Sequence, residues 1–166
     1  ESSDVVAVTG QMIRGYSKQH IKNILSKGVL LDASAARTLQ EDGYGKYLGV
    51  DISDVIENIN TPMAAEETSD KQYMPTRLIT DKEIFYRISP HRDATIVANL
   101  VDCHRDVYSP AWVTYQNSLG GKVAVYAADL QDGVSCDFMS WYRKKQLEEM
   151  VRWLNNDKLD CYVSGG

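Results

Sequence analysis

The sequence predicts an α/β fold: a largely parallel central sheet flanked by helices, with a β-rich insertion. Three observations point there. Val5–Val8 and Val29–Leu31 are continuous apolar runs, not alternating ones, as strands covered on both faces are. A helical pattern separates them and a second follows, so strand and helix alternate at βαβα spacing. The chain of 166 residues suits one domain, expected to span 1–166. At that length roughly 70% of the unfolded surface can be buried, enough for a real core.

Val5–Val8 is the first strand, and Gly10 and Gly15 bracket a loop after it. Ser17 can cap a helix carrying Ile21, Ile24 and Leu25 on one face, with Gly28 ending it. Val29–Leu31 is the second strand. Ser34 can cap the next helix, with Ala35, Ala36 and Leu39 inward and Gly43 closing it. Tyr47, Leu48, Val50, Ile52, Val55 and Ile56 supply core contacts without clean periodicity. Positions 61–76 are polar, contain Pro62 and Pro75, and read as a loop. Strand-like runs then follow at Leu78–Ile79, Ile84–Ile88, Thr95–Val101, Trp112–Gln116 and Lys122–Ala127, the last fed by a Gly120-Gly121 turn. Trp141–Leu154 is the strongest helix, with Trp141, Leu147, Met150, Val151 and Leu154 as its apolar stripe. Leu159–Val163 can add an edge strand.

Composition narrows the function classes. Apolar residues are 43% and charged residues 25%, the balance of a soluble globular protein. Eighteen basic against 23 acidic side chains give a net charge of −5, which argues against nucleic acid as a partner. The one dense basic run, Arg143-Lys144-Lys145, is followed by Glu148 and Glu149 at i,i+4 spacing and reads as a solvated helix face. No apolar run approaches the ~20 residues of a membrane span, so no membrane partner is expected. The chain opens Glu-Ser-Ser-Asp, without Met, directly before a strand, and is expected to be processed or excised from a longer protein. A targeting signal could have been lost with the missing part. Cys103, Cys136 and Cys161 are an odd number without CxxC spacing. They imply free thiols, neither a disulfide framework nor a zinc site, and slightly favour the cytoplasm or another reducing compartment.

"KGVLLDASAARTLQEDGYGKYLGV" (27–50), "NSLGGKVAVYAADL" (117–130) and "SWYRKKQLEEMVRWL" (140–154) together resemble the glutamine-amidotransferase-like domains attached to bacterial glycoside hydrolases of the β-galactosidase kind. The resemblance covers about two thirds of the chain, with little from 61–88. It implies a flavodoxin-like sheet, with early βα units lying before Glu1. Its motifs are structural, so it speaks to fold more than to activity. In the related enzymes the catalytic carboxylates belong to a separate barrel domain, which this chain lacks.

Class I amidotransferases raise a thiolate in a Gly-x-Cys-x-Gly elbow and follow it with His-x-Glu. Here the cysteines read Asp102-Cys103-His104, Ser135-Cys136-Asp137 and Asp160-Cys161-Tyr162, and no His-x-Glu occurs. The catalytic residues of that family are therefore missing. Cys103 and His104 are adjacent and could make an activated thiol, but neighbours on a strand point to opposite faces. His-Arg-Asp occurs at 91–93 and 104–106 without the Asn, glycine loop or DFG of a kinase. Asp32 and Ser34 stand where strand becomes helix, a common ligand position in α/β proteins. Both are also explained as helix-start residues, Ser34 as the cap and Asp32 favoured by the macrodipole. Tyr108, Trp112 and Tyr115 could stack on a sugar, or be strand core. No pair of carboxylates stands out for glycoside hydrolysis.

These readings lead to a non-catalytic accessory domain of a carbohydrate-active protein, serving interdomain packing or homo-oligomer assembly. Its partners would be other domains of the parent, a second copy, or carbohydrate; no catalytic residue, metal or cofactor is expected. Two rivals stay open: a small hydrolase or transferase using Cys103/His104 or Asp32/Ser34, and a carbohydrate-binding module using Trp112. Asp32, Ser34, Cys103, His104 and Trp112 are the candidate ligand-binding residues.

Overall fold

A computed structural model describes residues 5–56, 65–68, 77–79, 84–102, 104–130 and 141–158. Seven strands form the main sheet in the order β1-β2-β9-β8-β7-β4-β5. They are β1 (Val5–Val8), β2 (Gly28–Leu31), β4 (Ala65–Thr68), β5 (Arg77–Ile79), β7 (Thr95–Val101), β8 (Val107–Gln116) and β9 (Lys122–Tyr126). A separate antiparallel pair joins β3 (Val50–Ile56) to β6 (Phe85–Pro90). Among the described residues the α-helices are α1 (Gly10–Ile13), α2 (Lys18–Leu25), α3 (Ala33–Leu39) and α4 (Trp141–Leu154), with a π turn at Gln40–Tyr44 and a 3-10 turn at Gly45–Tyr47 after α3.

β1, β2 and β9 are adjacent and parallel, as their apolar runs predict. Every residue of β2 is buried. The expectation of a largely parallel, flavodoxin-like sheet flanked by helices is nevertheless wrong. The pairs β9–β8, β8–β7, β7–β4 and β4–β5 are all antiparallel. Short links decide this. Val101 to Val107 and Gln116 to Lys122 leave only a few residues between the paired strands β7 and β8 and the paired strands β8 and β9. A parallel return needs a crossover of about a dozen residues or more. The β-rich part is no insertion beside the sheet; it is the larger part of the sheet.

Several local expectations hold. Ser17 caps α2 by accepting from His20 N–H at 3.2 Å, and Ile21, Ile24 and Leu25 are buried. Ala35, Ala36 and Leu39 face inward from α3. Other details differ. The stretch after Gly10 is the short helix α1, and α2 ends at Leu25, so Gly28 opens β2 instead of closing a helix. β4 lies inside 61–76, where the sequence predicts a loop. β3 was hidden in a stretch without clean periodicity, and a register shift between Ile52 and Val55 explains the broken alternation. β8 begins five residues before Trp112 and contains Pro110, whose presence conceals the strand in the sequence. The tail 159–163 lies outside the described residues.

The turn between β8 and β9 is built around Asn117. Its side chain donates to Leu25 O at 2.8 Å and Tyr47 O at 3.3 Å, and accepts from Leu119 N–H and Gly121 N–H. A Cβ on Gly121 would lie 2.0 Å from Leu25 O, so only glycine lets the turn seat against the end of α2.

The buried side of α4 corrects the predicted stripe. Arg143, Met150 and Leu154 are buried, Leu147 and Val151 are half-buried, and Trp141 is 67% exposed. Lys144 and Glu148 do pair on the solvent side at 4.0 Å. Arg143, expected on that same solvated face, is fully buried because a carboxylate waits for it inside.

Candidate functional site

The carboxyl ends of β1, β2 and β9 bring Gly10, Asp32, Ser34 and Asp129 together. Asp32 follows β2 directly and is 1% exposed. It is the cap of α3: Oδ1 accepts from Ala35 N–H at 2.8 Å. Its Oδ2 faces Leu130 N–H at 3.4 Å. Ser34, expected as the cap, lies inside the first turn. Its N–H donates to Asp129 Oδ1 at 3.0 Å and its hydroxyl to Asp129 Oδ2 at 2.8 Å. An Asp outranks a Ser here because its extended backbone just before Ala33 places the carboxylate over the free N–H groups. Gly10, the first residue of α1, lets that helix come close to α3: a Cβ there would lie 2.5 Å from Ser34 Cβ.

Burial pushes the Asp32 carboxyl up from 3.8 to about 6. The neighbouring Asp129 charge adds to the rise, while hydrogen bonds from Ala35, Leu130 and Gly10 backbone groups oppose it. A raised carboxyl at the strand ends is the electrostatic pattern of many functional sites. The topology does not reinforce it. β1, β2 and β9 step in one direction across the sheet, with no reversal of strand order between them to open a crevice. Among the described residues no group of three or more His, Cys, Asp or Glu side chains could hold a metal ion.

The other predicted site residues are scattered. His104 is exposed in the turn between β7 and β8, where its N–H donates to Asp102 Oδ1 at 2.8 Å. Cys103, Cys136 and Cys161 lie outside the described residues, so the Cys103/His104 pair has no described geometry. Trp112 is fully buried and offers no face to a sugar. Tyr108 and Tyr115 are half-buried. Tyr115 meets the ring of His91 edge-on at 6.4 Å, and His91 Nε2 lies 3.3 Å from Asp51 Oδ2.

Trp112 belongs instead to a constellation that sequence reasoning missed. Its Nε1–H donates to Glu66 Oε2 at 3.0 Å, and Tyr126 O–H donates to Glu66 Oε1 at 2.8 Å. Arg143 closes the group with two bonds to the same carboxylate, at 2.7 and 2.6 Å. Its Nη1–H also reaches Gln146 Oε1 at 2.6 Å. Glu66 comes from β4, Trp112 from β8, Tyr126 from β9 and Arg143 from α4. The only sequence signal was indirect: a basic residue on a helix whose i+7 and i+11 partners, Met150 and Leu154, are apolar.

No family model matches the chain, and no curated protein matches it. Among solved structures, Cytoplasmic Protein STM3548 from Salmonella typhimurium superimposes with a TM-score of 0.62 at 16% identity, covering 91% of this chain and 71% of that one. A catalytic mutant of Gan42B, a GH42 beta-galactosidase from G. stearothermophilus, gives 0.56 at 12% identity, covering 89% of this chain but only 21% of that one. The mmIFT52 N-terminal domain gives 0.52 at 13% identity, covering 96% and 76%. At such identities the likeness is one of fold. The fold therefore recurs both as most of a smaller chain and as about a fifth of a β-galactosidase. That matches the galactosidase side of the resemblance seen in the sequence. The amidotransferase side has no support.

Proposed function

We propose that this chain is a non-catalytic accessory domain of a larger carbohydrate-active protein, serving interdomain packing or self-association. One observation carries the reading. At the strand ends, where an α/β protein would place its chemistry, the polar groups are engaged in holding the fold. Asp32 caps α3, and Asp129 takes both donors of Ser34. The fold's likeness to a fifth of a β-galactosidase supports the carbohydrate context. Trp141 and Val107, 67% and 62% exposed, are the most exposed large apolar side chains among the described residues.

Assays of the chain alone against chromogenic glycosides and esters test the reading. Turnover should stay at background, and Asp32→Asn, Ser34→Ala and Cys103→Ser should leave it there. Turnover above background that one of these variants removes would overturn it. Sedimentation velocity over a concentration series then separates the two packing roles. A rising mass means self-association; a constant monomer means a neighbouring domain is the partner.

A second reading keeps Asp32 and Ser34 as ligand contacts. It is favoured by the raised carboxyl of Asp32 at the ends of the parallel strands. A sugar-binding role would move from Trp112 to the half-buried Tyr115 and His91 with the exposed Asp51, which is tested by tyrosine fluorescence during a galactose titration.

A further inference from the structure

Glu66 is held in place by groups that do not belong to α4. Trp112 Nε1–H and Tyr126 O–H each donate to one of its oxygens, at 3.0 and 2.8 Å. The two rings stack on each other, centroids 4.2 Å apart and 22° between planes. Into this comes the guanidinium of Arg143. Nη1 and Nη2 reach Oε2 and Oε1 at 2.7 and 2.6 Å, and the central carbon lies 5.7 and 5.5 Å from the Trp112 and Tyr126 ring centroids. The side chains of Arg143 and Glu66 are 0% and 1% exposed.

We propose that Glu66, Trp112 and Tyr126 form a preassembled guanidinium-binding box, and that Arg143 of α4 is its internally supplied ligand. The chemistry fits this cation class and not cations in general. A planar fork meets a carboxylate with two parallel bonds while its delocalised charge lies near aromatic rings. An ammonium is a point donor and more strongly hydrated, so it satisfies only part of the box and resists burial. The carboxylate already has its orienting donors from β8 and β9, so removing the arginine side chain leaves an oriented anion beside two rings. On this view α4 docks by recognition of one polar group as well as by its apolar contacts at Met150 and Leu154. The inference stands apart from the accessory-domain reading, because the box would bind a guanidinium whatever the chain does.

The test is chemical rescue of Arg143→Ala in the full chain. Its urea midpoint is followed against low concentrations of methylguanidinium, with methylammonium and sodium chloride at matched ionic strength as controls. The expected result is a saturable rise with methylguanidinium alone, lost when Glu66→Gln is added, and a poor recovery by Arg143→Lys. No response, or an equal response to methylammonium or sodium chloride, overturns the proposal. If Arg143→Ala does not fold in buffer, the yield of folded protein on dilution from urea into each salt reads the same contrast. Equal yields in the three salts would reject the box.

Discussion

Two buried carboxylates divide the molecule. Asp32 sits at the ends of the parallel strands, and Glu66 sits in the antiparallel part of the sheet. Each is 1% exposed, yet burial is offset differently. Asp32 leans on backbone N–H groups at a helix start and has another carboxylate for a neighbour, and burial leaves its carboxyl raised to about 6. Glu66 has a guanidinium with two bonds and two neutral donors. Partial dipoles hold an anion more weakly than a bidentate cation does. The first site therefore rests on partial charges, while the second is held by a full opposite charge.

The sharpest way to break this comparison is to remove the cation. Arg143→Ala should destabilise by about 3–5 kcal/mol, because it leaves a charge buried without its partner. Replacing the pair by Glu66→Gln with Arg143→Met should recover part of that loss, since neither ion is then buried and the amide oxygen keeps an acceptor beside Trp112 and Tyr126. Urea denaturation of the single and double variants measures both. Equal losses in the two would show that packing around Trp112, and not charge, holds this region.

The two sites also differ in how far the sequence reveals them. Asp32 and its α3 partner Ala35 are three residues apart, so strand, cap and helix are legible together, even though the sequence favours Ser34 as the cap. The neighbours β1, β2 and β9 were legible for the same reason: continuous apolar runs state their own burial. Glu66 and Arg143 are 77 positions apart. Glu66 stands in Ala-Glu-Glu-Thr, which has low strand propensity and reads as loop. Arg143 stands in a basic run and reads as surface. Each becomes a core residue only through the other, and nothing local records that. The overall sheet was misread because its parallel start is apolar and clear, whereas its antiparallel remainder is half-polar, bulged at β7–β8 and interrupted by Pro110.

Next in size is the apolar contact of α4. Leu154 is 1% exposed, and a Cβ on Gly28 would lie 2.5 Å from Leu154 O, so helix and β2 are in close contact there. Leu154→Ala should cost about 2–5 kcal/mol through the cavity it leaves. A loss comparable to that of Arg143→Ala would mean that polar and apolar ends of α4 contribute alike. A much smaller loss would place the docking energy in the box.

A smaller effect, and one with a sign, comes from Asp32. Its carboxyl is raised from 3.8 to about 6, so the folded chain holds this proton more tightly than the unfolded chain. The stabilisation is fully present below 3.8 and is lost as pH rises through about 6. The loss is on the order of 1–3 kcal/mol, at about 1.4 kcal/mol for each unit. Asp32→Asn keeps a capping side chain but cannot ionise. Stability measured from acid to neutral pH should therefore fall more steeply in the wild type than in the variant. Parallel profiles would mean that the backbone donors fully balance the burial of Asp32.

The smallest expected effect lies two residues from the largest. Hydropathy assigns Trp141 to the core and Arg143 to solvent, and the structure reverses them: Trp141 is 67% exposed and Arg143 is buried. The helix turns by about 100° per residue, so two positions rotate a side chain by roughly 200°, onto the opposite face. Once Arg143 points at Glu66, Trp141 must point away. The ring keeps a surface contact with Lys145, whose Nζ lies 5.8 Å from its centroid, an interaction worth about 0.5–1 kcal/mol at exposed sites. Trp141→Ala removes that contact and, at an exposed position, opens no cavity, so the loss of stability read from urea denaturation should be small, about 1 kcal/mol. A loss of ~3 kcal/mol, the size expected for a buried Trp, would mean that α4 docks with the other face inward. That outcome would also remove Arg143 from the box.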